Sequence, residues 1–317
     1  MSRCRQRAFT RIEGVIVLVI IGVLLGVLAV TLPWMRERVR LEQCVGNLSK
    51  MGKGFYTYAS ESSILYPVAA PNSTHDSTPS PVTYYNMTGR HGGQGTSGDP
   101  AGQAPGQYWD QLSTTRNLWL LVKVGHAPPD SFICPSSGDR PDTVRNPATF
   151  WDFAARPGDV TADRGWSRTA NNETCVSYGY QVPYGSRGEP NTEVDQRMVL
   201  AADKGPYGGV SLSNGQVTTP PVSLNDRSAP ELWRPFNSPN HGGLLTGKGQ
   251  CVLFGDTHVE FVGTPVVGVG NDNIYTAWKR RGGNGDPDTR MHGERPGKNV
   301  GLDSLTPAEN TDSLIYP

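Results

Sequence analysis

Residues 12–32 read IEGVIVLVIIGVLLGVLAVTL, a run of 21 residues in which Glu13 and Thr31 are the only polar interruptions. A helix of that length, rising about 1.5 Å per residue, matches the hydrocarbon thickness of a bilayer. A buried helix of a soluble protein is rarely apolar on every side, and the apolar part of a cleaved secretory signal is usually shorter. The run therefore predicts a single membrane-spanning helix.

Basic residues flank this run on both sides, so the positive-inside rule leaves the orientation open. They are Arg3, Arg5 and Arg7 before it and Arg36, Arg38 and Arg40 after it. Glu13 needs a positive partner, because a carboxylate at the edge of an apolar span is costly. An α-amino group created at Phe9 would lie four residues away and could serve.

The helical pattern continues beyond the apolar run. Apolar or small residues recur at steps of three and four, at Leu41, Val45, Leu48, Gly52, Phe55 and Ala59. This stripe predicts that the second half of a long helix packs on a head domain. Pro33 lacks a backbone donor and predicts a kink or break near residues 29–33.

Composition limits the head to a modest, loop-rich core. Among the 317 residues, 38 are Gly and 26 are Pro. Lys plus Arg and Asp plus Glu number 29 each, which gives no basic footprint for nucleic acid.

The five cysteines stand singly, without a C-x-x-C pair, so a zinc ribbon or thioredoxin-type redox site is not indicated. Without Cys4, four remain, an even number that allows two disulfides in three connectivities.

The rest of the chain predicts an α+β fold with an antiparallel sheet packed on the long helix. Strand patterns cover residues 174–182, 197–202, 250–254 and 257–262, and a short helix is expected at 116–123. Gly255-Asp256 favours a type II′ hairpin whose buried face would hold Val252, Phe254, Val259 and Phe261. Residues 67–107 are expected to form a surface loop, and residues 279–317 a draped or disordered tail.

Three polar residues near the hairpin could gather as ligands or as an acid/base pair, namely His241, Asp256 and His258. We interpret them as structural, since a turn and a polar strand face explain them, and assign no metal site and no catalysis. Recognisable catalytic motifs are missing from the sequence. Asn284, Asp286 and Asp288 alternate as in a calcium loop, but Arg295 stands where an EF-hand needs its closing Glu.

The N-terminal residues R-x-R-A-F-T-R-I-E, followed by the long apolar run, resemble the prepilin cleavage and methylation signature of type IV pilins and type II secretion pseudopilins. The resemblance implies cleavage between Ala8 and Phe9 by a prepilin peptidase and methylation of the new Phe9 amine. It also implies that Glu13 pairs with the N-terminus of a neighbouring subunit. Ala8 stands where the family has Gly.

Five further segments resemble the planctomycete-type pseudopilin-like proteins with a C-terminal H-x-D-G-type segment. They are residues 38–52, 132–136, 238–241, 253–261 and 272–276. Thr257 stands where that group usually has Gly. Because Cys44 and Cys134 lie in two of these segments, we prefer a Cys44–Cys134 disulfide among the three connectivities, which leaves Cys175 and Cys251.

The resemblance implies a pseudopilin or minor-pilin-like subunit, not an enzyme, that assembles in a type II secretion or type IV pilus-like machine. Its partners would be the prepilin peptidase, other pilin-like subunits and the membrane. It would be a single-pass inner-membrane protein with its N-terminus cytoplasmic and its head periplasmic or cell-surface. The expected domains are a leader (1–8), the long helix (9–60), a pilin-like head (61–279) and a polar tail (280–317). No cofactor is expected, although non-EF-hand calcium binding, as in major pseudopilin loops, stays open. The alternative is a signal-anchored periplasmic enzyme or binding protein.

Overall fold

The computed structural model describes residues 11–62, 64–68, 114–143, 146–147, 153–154, 174–183, 190–207, 217–278, 290–293 and 307–316. The predicted processing site at Ala8 and Phe9 lies outside these ranges, and so do Asn284, Asp286 and Asp288 and nearly all of the loop expected at 67–107.

One helix dominates the structure. Helix α1 runs from Arg11 to Glu61 over 51 residues. Its N-terminal half is long and apolar enough to cross a membrane, and the most apolar stretch of 18 residues is not buried in the protein. Of the kink or break expected at residues 29–33, the break is absent, because the helix continues through Pro33. A proline removes only one donor from the backbone ladder, and the remaining hydrogen bonds hold the flanking turns together.

The second half of α1 belongs to the core of the head, which confirms the predicted stripe. Cys44, Leu48, Met51, Phe55 and Ala59 are each at most 1% exposed, and Leu41 and Val45 pack against them. Successive members lie three or four residues apart, so they share one face of the helix. That face covers the sheet.

The head is built on an antiparallel sheet of five strands, namely β1 (Tyr178–Gln181), β2 (Val199–Asp203), β3 (Gln250–Phe254), β4 (Val259–Val262) and β7 (Ile315–Tyr316). Their order in the sheet is β4-β3-β2-β1-β7. A two-stranded sheet pairs β5 (Val266–Gly268) with β6 (Asp272–Asn273). Short helices complete the head: α2 (Thr114–Lys123), α3 (Pro230–Trp233) and two 3₁₀ turns at Pro129–Phe132 and Arg234–Phe236. The α+β class is therefore confirmed.

The main sheet is covered on both faces, so the prediction of a single buried face for the β3–β4 hairpin is wrong. Val252 and Phe254 pack into a cluster around Trp233 on the side away from α1. Val259 and Phe261 pack on the opposite side, against the cluster that includes α1.

The turn explains this change of face. Instead of a two-residue type II′ turn, β3 and β4 are joined by residues 255–257, with the Phe254 amide donating to the His258 carbonyl at 3.0 Å. Thr257 takes a left-handed conformation with φ of 70°. With three loop residues, Leu253 pairs with Val259 and Cys251 with Phe261. Because side chains of a strand alternate between faces, Val252 and Phe254 then lie on the face opposite to Val259 and Phe261.

The end of the tail is ordered, contrary to expectation. β7 pairs with β1 at the edge of the sheet, with Gln181 opposite Ile315, and Leu314 and Ile315 are buried. Gln181 anchors this segment, since its Oε1 accepts a hydrogen bond from the Leu314 amide at 2.8 Å. Two residues are too short to show a strand pattern in sequence.

Candidate functional site

Four side chains from four distant parts of the chain meet beneath α1. Cys44 projects from the buried stripe of α1, and Cys134 follows the 3₁₀ turn at Pro129–Phe132. Asp203 ends strand β2, and His241 lies in the loop that precedes β3. All four are at most 1% exposed.

The polar atoms of these four residues lie within 4.8 Å of one another. The Cys44 Sγ is 3.5 Å from Asp203 Oδ1, and the Cys134 Sγ is 3.5 Å from His241 Nε2. The same His241 nitrogen lies 3.3 Å from Asp203 Oδ2. Two sulfur atoms, one nitrogen and one carboxylate thus face a common point.

The loop that carries His241 is tightly wound. Gly242 follows with φ of +122°, and a Cβ there would lie 2.7 Å from the Thr246 carbonyl oxygen. The Lys248 amide donates to the His241 carbonyl at 2.7 Å, which closes the loop. This loop conformation turns the His241 imidazole inward. Position 242 requires glycine, because its φ is unfavourable for other residues and a side chain there would collide with the loop.

Neighbouring donors fix the acidic members of the cluster. Asp203 Oδ1 accepts from Asn240 Nδ2 at 2.6 Å, and Oδ2 accepts from the Cys251 amide at 2.7 Å. The Tyr178 hydroxyl donates to Cys44 Sγ at 3.2 Å. Buried acceptors are costly when unpaired, and here the surrounding strands supply the donors.

The second nitrogen of His241 faces out of the cluster towards Glu37 on α1. Nδ1 lies 3.1 Å from Glu37 Oε1, which also accepts from the Ser136 hydroxyl at 2.9 Å. Burial opposes the charged imidazolium, but hydrogen bonds with Asp203 and Cys134 outweigh it and raise the pKa of His241 to about 11. Likewise, the hydrogen bonds from His241 and Ser136 outweigh burial and lower the pKa of Glu37.

A second buried network adjoins the first. Lys204 pairs with Asp139 at 2.6 Å, and Asp139 also accepts from the Ser177 hydroxyl at 2.7 Å. The Ser177 carbonyl in turn accepts from Asn240, the residue that holds Asp203. Burial penalises the Asp139 carboxylate, but Lys204 reverses this effect and lowers its pKa. This ion pair anchors the strand end that presents Asp203.

The four buried donors include residue types that bind metal ions, and the two thiols do not have the environment of reactive nucleophiles. Burial raises the pKa of the Cys44 thiol, and the hydrogen bond with Cys44 together with burial raises that of Cys134. Reactive cysteines instead have lowered pKa values and an open approach for substrate. Thiolate sulfur, imidazole nitrogen and carboxylate oxygen are all established zinc ligands.

The structure separates the three polar residues singled out in the sequence. His241 joins the buried cluster, whereas Asp256 and His258 form an exposed pair with each other at the tip of the β3–β4 hairpin. The His258 ring stacks on Phe254, with centroids 4.4 Å apart. The interpretation of these residues as structural stays a prediction, but His241 lies among residues far away in sequence that together offer a possible set of metal ligands. Asp203 was missed, because nothing adjacent to it in sequence marks it.

The predicted Cys44–Cys134 disulfide is not formed in this structure. Cys44, Cys134, Cys175 and Cys251 are buried, and none is disulfide-bonded within the described ranges. The sulfur atoms of Cys44 and Cys134 nevertheless lie within 4.8 Å of each other, so the sequence reasoning identified two true neighbours. Cys251 Sγ adjoins them, 4.0 Å from His241 Nε2.

Comparison with known proteins adds no relative to this description: the chain matches no established protein family, and neither a curated protein nor a solved structure shows significant similarity to it.

Proposed function

We propose that the chain is a pseudopilin or minor-pilin-like subunit, processed at its N-terminus and assembled in a type II secretion or type IV pilus-like machine of the cell envelope. The observation that carries this proposal is the division of α1 into two halves. Ile12 and Val30 are 73% and 78% exposed, whereas Leu48 and Met51 on the same helix are fully buried. A membrane-inserted stem thus continues without a break into the core of a head.

This arrangement supports assembly through the stem. At about 1.5 Å per residue, the 51 residues of α1 extend roughly 77 Å, far beyond the bilayer core. Cβ atoms added at Gly22 and Gly26 would meet nothing within 4 Å. These two positions lie four residues apart on one face, where small residues allow another helix to approach closely in lipid.

Glu13 supplies the specificity of assembly in this proposal. It lies in the first turn of α1, close to the predicted new N-terminus at Phe9. In a growing assembly its carboxylate would attract the methylated α-amino group of the neighbouring subunit, because an opposite charge stabilises a carboxylate in an apolar medium. The N-terminus would begin cytoplasmic, with the head in the periplasm or at the cell surface.

The first experiment determines the mature N-terminus by mass spectrometry of protein extracted from its native membrane. We expect a chain that begins at Phe9 and carries one additional methyl group. A chain that retains Met1, or one cut after Ala29, would contradict the proposal and favour a tethered periplasmic enzyme or binding protein.

The second experiment tests Glu13 directly. Glu13→Ala is expected to leave membrane fractionation unchanged but to reduce co-purification with other pilin-like subunits, since it makes the stem more apolar while removing the partner of the amine. Glu42→Ala is the matched control, because Glu42 is exposed on the same helix and pairs only loosely with Arg38 at 4.0 Å. Equal loss of co-purification in both variants would contradict a specific role for Glu13.

A further inference from the structure

We propose that Cys44, Cys134, Asp203 and His241 bind one zinc ion as a structural site that fastens α1 to the sheet. The four residues come from the stem helix, a turn, a strand end and a loop. A single ion at their centre would therefore cross-link the elements that make up the head.

Three of the separations between the ligand atoms agree with tetrahedral coordination. Zinc–ligand bonds of about 2.0–2.3 Å at tetrahedral angles place ligand atoms about 3.3–3.8 Å apart. Three of the six pairs lie in this range, at 3.5 Å from Cys44 Sγ to Asp203 Oδ1, 3.5 Å from Cys134 Sγ to His241 Nε2 and 3.3 Å from that nitrogen to Asp203 Oδ2. One ligand atom from each residue lies within 4.8 Å of the other three, so the side chains would draw together around the ion.

The chemistry of the donors favours zinc over other common ions. Calcium and magnesium prefer oxygen ligands, and the cluster offers only one carboxylate. Two thiolates, an imidazole and a carboxylate form a closed set of four, the coordination number of structural zinc sites, and each is an established zinc ligand. The Tyr178 hydroxyl at Cys44 and the two donors at Asp203 would remain as hydrogen bonds to the coordinated atoms, which offsets their negative charge.

Glu37 provides the outer support that zinc-binding histidines usually have. His241 points Nε2 into the cluster and Nδ1 at the Glu37 carboxylate, which the Ser136 hydroxyl holds in place. A carboxylate in this position orients the imidazole ring and increases its basicity as a ligand. Both Cys44 and Glu37 lie on α1, so this helix would contribute one ligand and one supporting group.

The proposal also explains how two adjacent thiols persist in the head. The proposed function places the head in an oxidising compartment, where neighbouring cysteines tend to form disulfides. Coordination would hold both sulfurs as thiolates and withhold them from oxidation. The zinc site itself depends only on the cluster geometry, and it would stand even if the chain were not a pilin-like subunit.

The test is the metal content of the full-length protein, purified in detergent without chelators and measured by inductively coupled plasma mass spectrometry. We expect about one zinc ion per chain, as a closed four-ligand site requires. Replacement by Co²⁺ should give the thiolate-to-cobalt charge-transfer bands and intense d–d bands of a tetrahedral site. Removal of the ion with a strong chelator should lower the unfolding temperature.

Variants then locate the ion. Cys134→Ser and His241→Ala should lose most of the zinc, whereas Cys175→Ser, which changes a buried cysteine outside the four, should retain it. Glu37→Gln should weaken zinc affinity about 10–100-fold without removing a ligand. This last variant keeps a polar side chain of the same size at a partly exposed position, so it distinguishes metal loss from misfolding.

Three results would overturn the proposal. The first is protein without metal in which all thiols react after unfolding, and the second is a Cys44–Cys134 disulfide found by non-reducing peptide mapping. The third is zinc that persists in folded Cys134→Ser and His241→Ala proteins.

Discussion

Gly52 lies on the face of α1 that contacts the sheet, and adding one methyl group there tests whether the helix is docked as described. A Cβ at Gly52 would lie 2.9 Å from the Leu253 Cδ1 and 3.6 Å from the Thr257 Cβ. Leu253 is fully buried, so its side chain has little room to yield. Overpacking of this kind costs about 1–3 kcal/mol.

The helix itself gains from the same substitution. Alanine in a helix interior is more favourable than glycine by about 0.8–1.0 kcal/mol, so Gly52→Ala should change the free energy of unfolding by between zero and a loss of about 2 kcal/mol. Gly46 provides the control, because a Cβ there would meet nothing within 4 Å. Gly46→Ala should therefore stabilise the protein by about 1 kcal/mol.

The assay is thermal and urea unfolding of the full-length variants in the same detergent. The two variants should differ by about 1–3 kcal/mol, which for a domain of this size shifts the unfolding temperature by roughly 2–12 °C. If Gly52→Ala stabilised the protein as much as Gly46→Ala does, the sheet would not contact this face of the helix, and the proposed continuity of stem and core would fail.

Three further predictions concern the head. Phe254→Ala should cost about 3–5 kcal/mol because the ring is buried, while His258→Ala at the exposed hairpin tip should cost no more than about 1 kcal/mol; equal losses in urea unfolding would contradict the packing described. Thr257→Gly should stabilise by roughly 0.5–1 kcal/mol, because a β-branched residue is strained at φ of 70°, and an unchanged or lower unfolding temperature would argue against that turn. Burial beside Asp272 raises the pKa of Asp312 to about 7, so the folded state keeps a proton that the unfolded chain releases above about pH 4. This contribution to stability is present below pH 4 and lost as pH rises to 7. The free energy of unfolding of Asp312→Asn should therefore increase relative to that of the parent as pH rises from 5 to 8, measured by urea unfolding. A difference between the two proteins that stayed constant over this range would show that Asp312 does not titrate there.

The sequence predicts those helices and strands in which buried apolar residues recur at a regular spacing. The helical stripe from Leu41 to Ala59 and the strand at Gln250–Phe254 were both identified in the sequence, since each carries several apolar side chains in register. The faces of the hairpin could not be assigned in the same way. They depend on whether the loop holds two residues or three. The third loop residue is left-handed, and because it is Thr257 and not a glycine, the sequence does not indicate this conformation.

Long-range convergence limits what could be predicted of the site. Cys44 and Asp203 lie 159 positions apart, and Cys134 and His241 lie 107 apart. No periodicity connects such residues, because their proximity results from the order of strands in the sheet and the path of the His241 loop. The sequence did mark three of the four, two as a cysteine pair and one as a polar candidate, but it gave no sign of Asp203.

The burial of the second half of α1 also determines how the molecule would respond to mechanical load. A pull on the stem along its axis would act directly on Leu48, Met51 and Phe55, which lie at the centre of the head. Such a load would shear the helix along the sheet and would have to displace many side chains at once. Conversely, a recombinant head that began after Glu61 would leave the covered face of the sheet bare and prone to aggregation. A soluble fragment should therefore start within the helix, before Glu37.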